Sequence, residues 1–237
     1  MDWVYFLYGI SGLLIFICLI VSVVAQTKVY NAYNEYTKIP SSLNMTGAQL
    51  AEKLALEHGL KLKIKTCKGK LTDHYNPTDK SLNISSQNYN SNSIASLAIV
   101  AHEFGHALQD AQSYKPLKLR QIAIKVSNFA SGMLLPLIII SVILSIFVGF
   151  IGLYMLLAIC VVYGLAVVVN LITLPVETNA SARAKEILFA QIADPEEQAG
   201  ITKMLSAAAM TYLASLLVSI VYFLRFLLIF LLSSRRD

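Results

Sequence analysis

His102 and His106 stand four residues apart, with Glu103 beside the first, in the stretch "VAHEFGHALQD" (100–110). Residues four apart on a helix share a face, so both imidazoles can reach one ion from successive turns. Zinc takes imidazole nitrogen at about 2.0–2.1 Å, and catalytic zinc sites combine three protein ligands with a water. Glu103 lies one residue round the helix from His102, placed to bond that water rather than the ion. There it would act as a general base, taking a proton as water attacks a carbonyl and passing it to the leaving amine. Two histidines with no metal are the plainer alternative. The pair lies in a strong helical pattern that follows a strand, which favours metal.

A third ligand must come from elsewhere. Asp110 continues the same stripe, but it stands about 12 Å from His102 along the axis at about 1.5 Å per residue. His58 and His74 precede the motif, and His74 is the nearer rival because its strand could border the cleft. Glu177 is the better candidate. It is the first acidic residue after a long apolar tract and opens a predicted helix, with no basic residue in its own turn. A carboxylate serving only a helix N-terminus is the alternative there. Tyr75, His74 and Tyr212 are weaker candidates for stabilising an oxyanion, and Arg183 for pairing with a carboxylate.

The elements that must position these residues are mostly apolar. Of 237 residues, 56% are hydrophobic and 14% charged, where a soluble domain carries about a quarter charged. The run 3–25 has no charge and is long enough to cross a bilayer as a helix. It lacks the basic start of a signal peptide, so a retained span is expected. The tract 129–176 is free of charge and about two spans long, a helical hairpin over 129–148 and 153–174. A fourth span, about 207–232, contains Arg225, which can snorkel from near a helix end. The aromatic run "WVYFLY" reads as an interfacial belt.

The expected organisation is a transmembrane helix (1–26), a first part of a polar domain with a small sheet and the motif helix (27–127), the hairpin (128–176), a second polar part carrying the third ligand (177–206), and a last span with a basic tail (207–237). An even number of crossings separates the two polar parts, which puts them on one side. Lysines and arginines near the span ends make that side cytoplasmic by the positive-inside rule. The same rule accounts for the net charge of +5, and no nucleic-acid signature is present. Cys18, Cys67 and Cys160 set no disulfide framework.

Within the polar region, Thr46 and Gln49 have capping-box spacing ahead of a helix over 47–58 with Leu50, Leu54 and Leu56, stopped at Gly59. "LKLKIKTC", "KGKLTDHY" and "KSLNISS" alternate as strands of a small antiparallel sheet, and "SLNIS" is a candidate edge strand for pairing with extended substrate. Helices are expected over 93–112 and 177–192. Asp194 and Pro195 open a last one, with Glu196 and Glu197 as first-turn charges.

In order, "LTDHYNP", "AHEFGHALQD", "LPVETNASARAKEIL" and "AAAMTYLASLL" resemble the YugP-type membrane zinc metallopeptidases of bacteria, over nearly the whole chain. The wider gluzincin group, with the HtpX and CAAX-type membrane proteases, takes its third ligand from a Glu-x-x-Ala-Asp-type motif after the membrane segments. Glu177 to Ala180 match its first part, and Ser181 stands where that group has Asp, leaving Asn179 or Ser181 to hydrogen-bond a histidine ligand. The resemblance implies one Zn2+ per chain on His102, His106 and Glu177, Glu103 as the base, and a small α+β zincin-like domain at the membrane surface with four transmembrane helices. It implies a multi-pass endopeptidase of the bacterial cell membrane whose substrate is a membrane-associated polypeptide. A site-2-type intramembrane protease fits less well: "IASLAIVA" before His102 is too short to span, and 129–176 holds no acid. A membrane scaffold or adaptor with a structural or inactive zinc site is the alternative from another class.

Overall fold

The computed structural model describes residues 2–147 and 149–234. In chain order it contains α1 (Asp2–Tyr36), α2 (Gly47–Glu57), β1 (Lys63–Cys67), β2 (His74–Asn76), β3 (Ser81–Ser85), α3 (Ser86–Asn90), α4 (Ile94–Ala111), α5 (Lys115–Phe147), α6 (Gly149–Phe189) and α7 (Pro195–Ser233). The protein is thus mostly helical with one small sheet. Parts of α1, α5, α6 and α7 are long and apolar enough to cross a membrane. The hairpin turn expected between 148 and 153 is placed otherwise, because 149–152 are the first residues of α6. Residue 148, the tail arginines Arg235 and Arg236, and the side chains of Trp3, Val4 and Tyr5 in the proposed aromatic belt lie outside the described residues. Cys18, Cys67 and Cys160 are free thiols.

The chain divides into two units. One comprises Met1–Val24, Leu119–Leu174 and Tyr212–Asp237, the other Ala25–Lys118 and Pro175–Thr211. In the second unit α2 begins at the capping box: Gln49 N donates to Thr46 Oγ1 at 3.3 Å and Thr46 N to Gln49 Oε1 at 2.9 Å. Leu50 and Leu54 face inward and are fully buried, whereas Leu56 is 82% exposed, so the apolar stripe excludes it. Gly59, at φ +65°, turns the chain out of the helix.

The sheet corrects two expectations. It is mixed, in the order β1-β3-β2, with β1 parallel to β3 and β2 antiparallel to it. Alternation marks a strand but carries no information on the direction of pairing. Here the segment after β1 runs to the far side of β3 to lay down β2 before β3 returns beside β1. "SLNIS" is therefore the central strand, both of its edges are occupied, and it cannot pair with a substrate. Leu82 and Ile84 of β3 join Tyr33, Leu97, Phe104, Leu188 and Ile201 in one fully buried core.

Two helices also depart from the sequence expectations. α6 runs unbroken through Pro175, so no new helix opens at Glu177, and that residue does not serve a helix N-terminus. Proline removes one helical hydrogen bond and crowds the preceding turn. The loss is local, and Thr178 Oγ1 donates back to the Pro175 carbonyl at 3.2 Å. At the start of α7, Glu196 N donates to Asp194 Oδ1 at 3.0 Å, as the capping pattern implied. Glu197 does more than charge the first turn. It is 4% exposed, accepts from Ser42 N at 3.1 Å and from Ser41 Oγ, and anchors the loop before α2.

In the other unit, polar and ring contacts among the described residues link the helices. Asn170 Nδ2 donates to Ser219 Oγ at 3.2 Å, the Tyr163 ring stacks on Tyr222 at 5.1 Å, and the Arg225 guanidinium lies 4.3 Å from the Tyr8 ring centroid. Asn170 and Tyr163 link α6 to α7, and Arg225 links α7 to α1.

Candidate metal centre

Ser93 caps α4 by accepting from Ser96 N at 3.2 Å. The helix buries Leu97, Val100, Ala101 and Phe104 on one side. That orientation leaves His102, Glu103 and His106 on the face directed at α6 and β2. Gly105 sets how close α6 comes: a β-carbon there would lie 2.7 Å from the Ala180 carbonyl oxygen and 3.2 Å from its α-carbon. Only glycine permits that approach.

Across this contact His102 Nε2 stands 3.2 Å and His106 Nε2 3.6 Å from Glu177 Oε2. One ligand atom from each of the three residues lies within 4.8 Å of the others, the only such group of three among the described residues. Glu177 is 2% exposed. His74, the rival third ligand, is exposed and bonds the Thr72 carbonyl through Nδ1 at 2.9 Å. His58 packs on Phe104 with ring centroids 5.3 Å apart. Asp110 is occupied elsewhere, accepting from Tyr75 Oη at 2.7 Å and from Lys80.

The surrounding groups hold the three residues in place. Ser181 Oγ lies 3.1 Å from His102 Nδ1, and Gln109 Oε1 lies 3.0 Å from His106 Nδ1. Asn179 reaches His106 only through Gln109, which donates to it at 2.9 Å. Arg183 donates to Asn179 Oδ1 at 2.8 Å. Gln109 and Gly105 are the residues that sequence reasoning missed. Each lies at helical spacing from the histidines, yet nothing in the sequence names the α6 groups they meet.

Glu103 lies beside the three, and its Oε2 accepts from the backbone N–H of Tyr75 at 2.9 Å. Removal from water raises the Glu103 pKa above the usual carboxylate value. The two imidazoles and the Tyr75 N–H oppose that rise, the Glu177 charge adds to it, and the net direction is upward. Burial would lower the His106 pKa, but the Glu177 hydrogen bond and the charges of Glu103 and Glu177 outweigh it, so the net direction is again upward. Tyr75 is raised by burial and by its bond to Asp110, which commits its hydroxyl away from the oxyanion role considered for it. Tyr212 falls in the other unit.

A buried and a half-buried imidazole with a buried carboxylate oxygen, and a second carboxylate alongside, suit a borderline cation of zinc's kind. The local field has the same sense: the position that stabilises a proton between His106 and Glu177 also stabilises a cation.

The chain belongs to the family described as "Putative neutral zinc metallopeptidase", whose pattern matches residues 11–231. It is 42% identical over 210 residues to the "Putative membrane protease YugP" of Bacillus subtilis (strain 168), covering 87% of this chain and 90% of that protein. No solved structure matches it.

Proposed function

We propose that this chain is a zinc-dependent endopeptidase of the membrane in which His102, His106 and Glu177 hold one Zn2+ and Glu103 is the general base. The observation that carries this reading is the convergence of the three ligand atoms, within 4.8 Å of one another, from helices far apart in sequence. Zinc, when bound, supplies Lewis-acid chemistry: it acidifies a water and polarises a carbonyl. The chain's residues do the rest. Glu103 takes the proton of the attacking water and delivers it to the amine as the peptide bond breaks. The Tyr75 N–H holds one Glu103 oxygen, leaving the other to meet that water. An upward-shifted carboxylate pKa suits a group that must both accept and return a proton near neutral pH.

The domain is read as zincin-like: a motif helix beside a small sheet, with the third ligand on a later helix. The substrate is read as a membrane-anchored or juxtamembrane polypeptide. Glu177 belongs to the same unbroken helix as the apolar stretch that begins at Gly152, so the ligand is tied by covalent chain to a candidate span. The positive-inside bias supports a cytoplasmic domain in a bacterial cell membrane.

The test combines metal content with cleavage in the purified full chain. Wild type is expected to bind about one zinc, Glu177→Ala to lose it, and His74→Ala to keep it. Glu103→Gln should keep zinc and lose cleavage of a membrane-anchored reporter. A Glu103→Gln protein that retains the cellular function would favour the adaptor. A wild type that takes up no zinc would overturn the metal reading altogether.

A further inference from the structure

The two histidines differ in what grips their other nitrogen, and the difference is one of chemistry. His102 Nδ1 faces the hydroxyl of Ser181 at 3.1 Å. A hydroxyl both donates and accepts, so Ser181 is compatible with a proton on either ring nitrogen of His102. His106 Nδ1 faces the side-chain amide of Gln109 at 3.0 Å, and that amide has one available orientation.

The orientation follows from fixed groups outward. Arg183 Nε can only donate, and it lies 2.8 Å from Asn179 Oδ1, which makes that atom the oxygen. Gln109 Nε2 then bridges two acceptors, Asn179 Oδ1 at 2.9 Å and the Val176 carbonyl at 2.8 Å. Turning the amide over would place its oxygen against both, with no water available, since Gln109 is 0% exposed. The oxygen therefore faces His106, and an oxygen there requires the ring proton on Nδ1.

We propose that Gln109, locked by Val176, Asn179 and Arg183, is the positioning residue that keeps the His106 proton on Nδ1 and so presents an unprotonated Nε2 to the metal. This rests on the zinc reading of the site. A neutral imidazole binds zinc through whichever nitrogen lacks the proton, so fixing the tautomer in advance removes a cost from metal binding. Gln109 is a neutral counterpart of the carboxylate that often holds a zinc-binding histidine, and it adds no third negative charge beside Glu103 and Glu177.

The test is zinc affinity, by chelator competition, of the full-length protein in detergent. Gln109→Met keeps the length and apolar bulk but removes the acceptor, and its zinc affinity is expected to fall about ten- to a hundredfold. Nitrogen-15 NMR of the metal-free protein should show the ring proton of the neutral His106 on Nδ1, a preference that Gln109→Met should lose. Ser181→Ala should weaken zinc less than Gln109→Met. Unchanged affinity in Gln109→Met, a His106 ring proton found on Nε2 in the wild type, or a larger loss in Ser181→Ala would each overturn the proposal. If Gln109→Met does not fold, Gln109→Leu removes the same acceptor with a shorter apolar side chain. It should also weaken zinc, and unchanged affinity there is equally fatal. A wild type that binds no zinc would instead refute the underlying reading, so the two failures are distinguishable.

Discussion

The two units use the same apolar residues under opposite conditions. In the unit that carries the candidate metal centre, Leu50, Leu54, Phe104 and Leu188 are each 0% exposed. In the other, Phe16, Leu135 and Phe129 are 61%, 67% and 75% exposed. Water would penalise the second arrangement heavily, while hydrocarbon would not. The unit with the candidate site is accordingly held by burial. In hydrocarbon the other would have no such force between its helices, and contacts such as Asn170 with Ser219 and Tyr163 with Tyr222 would hold it. Burial alone is thus a poor guide to which apolar residues matter.

The sharpest way to break this contrast is to empty one site in each unit. Phe104→Ala should cost about 3–5 kcal/mol in unfolding of the purified chain, because it opens a cavity in a closed core. Phe129→Ala should cost little by the same measurement, and equal losses would mean that both units are packed alike. Charge probes the reverse. Leu135→Arg should impede membrane integration at a cost of about 2.5–3.5 kcal/mol. Leu56→Arg, on an 82% exposed position of the other unit, should leave integration unchanged. Fractionation of cell membranes distinguishes the two.

Glycines sharpen the comparison further. Gly105→Ala should cost about 1–3 kcal/mol and abolish zinc binding, because α4 and α6 must move apart. Gly132→Ala, with nothing within 4 Å of the new methyl, should be neutral or slightly stabilising. The smallest effect is expected at the surface. The Lys65 ammonium, helped by the Ser81 hydroxyl, lowers the Asp79 pKa from its usual 3.8 to about 2. A lowered carboxylate pKa gives stability that is present above 3.8 and lost as pH falls through about 2. Asp79→Asn should therefore flatten the acid limb of a stability–pH curve slightly, and a steeper limb would contradict the assignment.

Much of this protein was legible residue by residue. The spacing of His102, Glu103 and His106 and the helix that carries them are local facts, because they depend on one helix and its own hydrogen bonds. So are the capping box at Thr46 and Gln49 and the long charge-free tracts. Glu177 was legible as a candidate because acidic residues are scarce after the apolar tract. What sequence could not supply was anything that two distant segments decide together. Pairing direction and the central place of β3 depend on where the chain returns, so alternation misassigned both. The helix through Pro175 survives because the neighbouring turns outweigh one lost bond. The buried role of Glu197 exists only once Ser41 and Ser42 fold over it. Sequence alone thus determined which atoms were available to bind a metal. Only the tertiary structure decided that Gly105 meets Ala180, that Glu177 faces both imidazoles, and that Gln109 is locked between His106 and α6. Each of these is set by contact between helices whose separation in the chain carries no trace of their closeness in space.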